Sequence, residues 1–227
     1  GRQRHTGYDE WDFDLRGDYG LAEGAVLTLA HQQVDQDDAW RTHRTPYGID
    51  WEGLERGDDW VHAYDQDRVL TYLRLAVTDR PGWISAGRLT LTRQAQEEER
   101  YRLRADGRSD ETGFEVTTWG ASLVLESETP AGRWVYGVDY SRDMVESYSR
   151  KYKADGSLDK VEAQGPVADD ATYDLLGVFV QNTVPLWNGA LELTPGGRAT
   201  WAALDADKVL DPASGEVTAV EDDWGSV

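Results

Sequence analysis

The chain has 227 residues, 43 acidic against 23 basic, and no cysteine, so its formal net charge is −20. That charge repels phosphate backbones and anionic membrane surfaces, which excludes nucleic acid as a partner and docking through a basic patch. The missing cysteines exclude disulfide frameworks, thiolate zinc sites and thiol catalysis.

The first patterned segment, Asp9 to Gly20, puts Trp11, Phe13, Leu15 and Tyr19 on one parity and Asp12, Asp14, Arg16 and Asp18 on the other. A period of two with this contrast predicts a strand with one apolar and one charged face. The pattern recurs at Ala25–Val34, Arg68–Thr78, Trp83–Ala95, Glu115–Ser127, Arg133–Val145 and Ala190–Ala203. Thr172–Thr183 is apolar on both faces, which leaves its orientation open. The expectation is eight strands and no helix. No run approaches the roughly 20 apolar residues of a membrane helix, but a barrel strand needs only about 10 alternating ones.

The connections alternate. Short links are expected at Leu21–Gly24, Asp79–Gly82, Thr129–Gly132 and Val184–Gly189. Long ones are expected at about 35–67, 96–113, 146–171 and from about 204. In an up-and-down antiparallel sheet this puts every short link at one end, as in outer-membrane barrels with short periplasmic turns and long extracellular loops. The face opposite the apolar stripe is charged in most strands, at Asp12, Asp14, Arg16, Arg74, Arg88, Asp139 and Arg198. That suits lipid outside and water inside. The apolar fraction is only 39%, yet Trp and Tyr number 10 and 11 against 3 Phe. Amphipathic rings such as Trp11, Tyr19, Trp83, Trp134 and Trp201, near the ends of the expected strands, fit a headgroup girdle. The alternative is a soluble, Trp-rich carbohydrate-binding β-sandwich module, which would pack two sheets face to face.

Several stretches carry a family resemblance. They are Arg41 to Gly53 (RTHRTPYGIDWEG), Asp65 to Tyr72 (DQDRVLTY), Tyr136 to Asp143 (YGVDYSRD), Gln164 to Asp174 (QGPVADDATYD) and Leu193 to Arg198 (LTPGGR). Together they resemble the β-barrel domain of TonB-dependent outer-membrane receptors, of the haem/haemoglobin type or the ferric-siderophore type. The resemblance covers residues 1–227. It implies an all-β, antiparallel up-and-down transmembrane barrel segment, about eight strands of a barrel of roughly 22. It further implies energised uptake of haem or a ferric siderophore across the bacterial outer membrane, with no enzymatic activity and no intrinsic cofactor. Its partners would be outer-membrane lipid, the iron chelate or haem, and TonB–ExbB–ExbD acting through a plug. The sequence shows no signal peptide, plug or TonB box, and Asp222 to Val227 resembles the opening of a further strand. The chain is therefore expected to be an internal fragment of the barrel. The F-R-A-P/N-P-N-L box of the haem branch is not found, so a ferric siderophore or cobalamin stays open as ligand.

The first long loop holds the candidate ligand-binding residues. Arg41 and Arg44 could pair with propionates or siderophore carboxylates. His43, His62 and Tyr47 could ligate haem iron, and Trp51 and Trp60 could stack on a porphyrin, as could Trp40 and Tyr64. His31 and His5 are expected to be structural. Glu97 to Glu99, Asp169-Asp170, Asp205, Asp207 and Asp211 lack EF-hand spacing and read as solvated loop, not calcium ligands. Asp12 and Asp14 repeat along a strand as lumen-facing residues would, without the distinct environments that a glycosidase pair needs.

Overall fold

The structure is a computed structural model that describes residues 4–50, 52–53, 55–211 and 213–226. Its long strands are β1 (Asp9–Ala22), β2 (Ala25–Trp40), β3 (Val61–Val77), β4 (Ala86–Leu103), β5 (Ser109–Thr129) and β6 (Gly132–Tyr152). They continue with β8 (Asp169–Leu186), β10 (Gly196–Leu210) and β11 (Val217–Ser226), and two short strands, β7 (Leu158–Val161) and β9 (Leu191–Leu193), pair onto β6 and β8. Every neighbour is antiparallel, the spatial order follows the chain, and β1 and β11 are not paired with each other among the described residues. The sheet is open, and the sole helical turn among the described residues is the 3-10 turn Trp187–Gly189.

The expected eight strands thus become nine long and two short ones among the described residues. The strand expected at Ala190–Ala203 is β9 plus the first half of β10. Its register runs unbroken, with Val184 opposite Leu193 and Gln181 opposite Gly196. Pro195 divides it because it has no N–H to give to the ladder; its carbonyl still accepts from the Asn182 N–H at 2.9 Å.

Directly opposed residues share a face. One row runs Tyr19, Leu27, Leu75, Leu89, Leu123, Val138, Val178, Ala199. The adjacent row on the other face runs Asp18, Thr28, Arg74, Thr90, Ser122, Asp139, Gly177, Thr200. Each face keeps its character across eight strands. The ambiguous strand is resolved by its neighbours: Leu176, Val178 and Val180 join the apolar face, while Leu175, Gly177 and Phe179 join the charged one. On the charged face, Asp139 accepts from Ser122 Oγ at 2.7 Å and from Arg198 Nη1 at 3.0 Å. Gly177 makes room for this Arg198, because a Cβ there would lie 2.1 Å from Nη2.

Burial is inverted relative to a soluble protein. Among the described residues the buried apolar side chains are all alanines, whereas Leu29 is 53% exposed and Trp119 52%. The accessible surface is 14866 Å²; a compact soluble monomer of 25.5 kDa would expose about 10,400 Å². A single sheet with its large apolar groups outside leaves no place for the two-layer core of a β-sandwich, and that alternative is set aside.

The strands also overrun their expected ends, by one to three residues at the short-link end of β1, β5, β6 and β8 and by more at the long-loop end of β2 to β6. The segment 96–113 is not a long loop. Pairing continues from Gln96 opposite Val116 to Leu103 opposite Ser109, closed by the turn 104–108. Glu97, Glu98 and Glu99 are therefore strand residues, as are Asp169, Asp170, Asp205 and Asp207. The strict alternation of short and long links fails here: 104–108 is shorter than the link 78–85 at the other end. The asymmetry lies instead in strand overhang. β5 and β6 have 21 residues each, roughly 70 Å of extended chain at about 3.4 Å per residue. A lipid-facing band is about 25 Å tall, so much of each strand stands in water. On the outer face the apolar residues give way to a row of carboxylates, Asp35, Asp67, Glu97, Glu115 and Glu146, mutually opposed across five strands. Trp201, expected near a strand end, lies in the interior of the longer β10.

Candidate functional site

The connection 41–60 folds back over the charged face of β3 and β4 at the long-loop end. Backbone bonds seat it: Arg41 N–H to the His62 carbonyl at 2.8 Å and Trp60 N–H to the Leu103 carbonyl at 2.7 Å. Within the loop, Arg44 N–H bonds to the Glu55 carbonyl and Asp59 N–H to the Arg44 carbonyl, both at 3.0 Å. Gly57 permits this approach, since a Cβ would meet the Arg44 carbonyl oxygen at 2.3 Å. Thr45 is fully buried beneath the fold of the loop and bonds through Oγ1 to the Thr42 carbonyl at 2.7 Å.

A cavity of about 690 Å³ lies between this loop and the strands, within the usual range for a small-molecule site. The loop supplies His43, Arg44, Glu55 and Arg56, while β3 and β4 supply His62, Tyr64, Arg100 and Arg102. His62 is buried, its ring stands edge-on to that of His43 at 4.5 Å, and its Nδ1 lies 3.3 Å from the His43 carbonyl. Burial, and then the guanidiniums of Arg44 and Arg41, push the His43 imidazole below its ordinary range.

The basic wall is held by a buried carboxylate. Arg100, Arg102 and Arg104 alternate along β4 and its turn, so their side chains share a face. They meet Asp110 of β5, which accepts from Arg100 Nη2 at 2.9 Å and Arg104 Nη2 at 3.0 Å. Arg102 Nε lies 3.5 Å from Asp110 and 3.3 Å from Asp59.

The structure divides the expected site residues. His43, Arg44 and His62 line the cavity together. Arg41 stands beside it with its guanidinium over the Tyr64 ring at 5.5 Å. Tyr47 belongs to a different cluster, 4.2 Å from His5, whose ring also meets that of Trp40 at a tilt, 4.3 Å away. A bulge in β2 between Gln36 and Ala39 causes this separation: it puts Trp40 opposite Ala63, on the face away from His62 and Tyr64. Trp60 is exposed and does not line the cavity. Trp51 lies outside the described residues. The sequence reading missed Arg56, Arg100 and Arg102. The two strand arginines could have been found from their alternation at 100, 102 and 104, had that segment been taken as a strand. His31 lies within β2, away from the cavity, with its Nδ1 2.9 Å from Thr71 Oγ1. Among the described residues, no group of three or more His, Cys, Asp or Glu side chains is placed to hold a metal ion.

A family profile described as "TonB dependent receptor-like, beta-barrel" matches residues 1–225. The chain belongs to that family. Among solved structures, one named "Copper transporter OprC" superposes with a TM-score of 0.66 at 16% sequence identity, over 96% of this chain. This receptor chain spans about a third of that structure, 33% of its length, and the likeness shows the barrel fold alone. No curated protein sequence matches the chain. The family is one of non-enzymatic outer-membrane receptors and transporters, so the apolar face of the sheet looks to outer-membrane lipid and the charged face to the lumen. The cavity therefore lies on the lumen side, at the mouth of the barrel.

Proposed function

We propose that this chain is the ligand-capturing part of a TonB-dependent receptor that takes up an iron-containing ligand, haem or a ferric siderophore. The observation that carries the reading is the cavity of about 690 Å³ beneath the 41–60 loop, walled by arginine and histidine on the lumen side. In this reading the overhanging strands form the vestibule, and the 41–60 loop closes over the ligand. Opening of the lumen is driven by TonB–ExbB–ExbD through a plug. Residues 1–227 form part of the barrel domain of that receptor.

A second reading, a copper ion held by imidazole, is favoured by the edge-on pair His43 and His62 and by the copper transporter among the structures of like fold. Arg44, which lines the cavity without a carboxylate partner among the described residues, opposes it, because its charge repels a bare cation.

The test is iron-limited growth of cells carrying the complete receptor, with haem or a ferric siderophore as the iron source. Growth that is lost when TonB is deleted is expected. Iron uptake that is indifferent to TonB, or to the receptor itself, overturns the reading.

A further inference from the structure

We infer that the cavity under the 41–60 loop selects a multiply anionic, carboxylate-bearing metal chelate, contacted by the guanidiniums of Arg44 and Arg102. The inference rests on the proposed metal-chelate uptake and narrows its ligand class. The chain as a whole carries −20, yet this cavity gathers four arginines and one glutamate. Three of the four are ion-paired: Arg100 to Asp110 at 2.9 Å, Arg56 to Asp50 at 3.5 Å, and Arg102, through Nε alone, to Asp59 and Asp110. The Arg44 side chain has no hydrogen bond or ion pair among the described residues. Arg102 approaches Asp59 and Asp110 only through Nε, at 3.3 and 3.5 Å, and that nitrogen is buried without a well-aligned acceptor. Both of its terminal nitrogens are left without a hydrogen-bond partner among the described residues.

The open donor edge of each of these guanidiniums is a fork that matches a carboxylate bidentately. The histidines do not offset this. His62 turns Nδ1 toward the His43 carbonyl, and the two rings meet edge-on. They shape the floor and supply no negative charge to attract a cation. The cavity thus recognises the chelate by the charge of its ligand shell, with the metal held by the chelator.

The experiment uses the complete receptor in detergent, titrated with three probes: ferric citrate, a neutral ferric trihydroxamate, and cupric ion alone. Ferric citrate is expected to bind in a salt-sensitive way, and the other two to bind at least tenfold more weakly. Arg44→Gln removes no structural partner and is expected to weaken ferric citrate about tenfold or more, the usual effect of losing a charge-assisted hydrogen bond. Arg44→Lys should recover part of that loss. Tighter binding of the trihydroxamate or of cupric ion, or an Arg44→Gln receptor that binds ferric citrate like the parent, overturns the inference. TonB-dependent uptake of a neutral chelate would do the same and leave the transport reading intact. Failure to bind or import any metal ligand, whatever its charge, overturns both.

Discussion

Replacing Asp110 by Asn tests how the basic wall is built. Asp110 is only 5% exposed and accepts from Arg100 and Arg104 at 2.9 and 3.0 Å. A hydrogen bond to a charged group contributes about 1.5–3 kcal/mol, and breaking a buried ion pair costs about 3–5 kcal/mol. Arg100 and Arg104 keep 31% and 33% exposure, so water screens and partly re-solvates them, and the lower end applies, about 3 kcal/mol. Asn keeps the volume but leaves Arg100 and Arg104 without a counter-charge, while Arg102 retains Asp59 at 3.3 Å. The loss is local to the β4–β5 hairpin, which stands clear of the membrane. Hydrogen exchange of the amides from 100 to 112 should therefore speed up roughly 100-fold, with the membrane-embedded amides unchanged. Asp106→Asn in the same turn is the control, since its pair with Arg108 is exposed, and no measurable change is expected there. Parent-like exchange in the Asp110 variant, or equal effects at 106 and 110, would refute the reasoning.

Gly177→Ala should drive Arg198 off Asp139, because the new Cβ would sit 2.1 Å from its Nη2. A loss of about 1–2 kcal/mol is expected, as for overpacking, with the thermal midpoint in detergent as readout. If steric displacement of Arg198 is the cause, adding Arg198→Ala should cancel most of the glycine effect; simple additivity would contradict it. The His43 imidazole, lowered mainly by burial, binds its proton more weakly in the folded loop than in the unfolded chain. Its contribution to loop stability is thus full above its unfolded value of 6.5 and is lost as the pH falls from there toward its lower folded value. Hydrogen exchange of residues 41–48, corrected for intrinsic rates, should show more opening at pH 5.5 than at 7.5. No difference would argue against a buried His43.

Much of the fold was legible because lipid imposes a strong rule. Where a strand crosses the apolar band, one residue in two must be apolar, and Leu73, Arg74 and Leu75 announce their faces. Above the band both faces meet water and the contrast vanishes. Glu97, Glu98 and Glu99 are as extended as Leu89 and Leu91, but nothing in their polarity says so. Pairing there is maintained by backbone hydrogen bonds and cross-strand polar contacts. The candidate site suffered from the same blindness. His43 and Arg44 stood out in a loop, and His62 followed them. Arg100 and Arg102 were hidden in a segment taken as a solvated loop, although they form the opposite wall. The bulge before Ala39 is set by register, which single-strand periodicity does not report. So Tyr47 and Trp40 could not be told apart from the cavity residues.

One face of this sheet meets lipid, and the other meets an aqueous lumen that carries the ligand cavity. The absence of native cysteine in the chain opens that division to direct measurement. Single cysteines at positions 72, 73, 74 and 75 of β3, in the complete receptor in outer membranes, are exposed to a water-soluble maleimide. Labelling should alternate, with 72 and 74 reactive and 73 and 75 protected. Equal labelling at all four positions, or protection at 72 and 74 with reaction at 73 and 75, would contradict the division of faces.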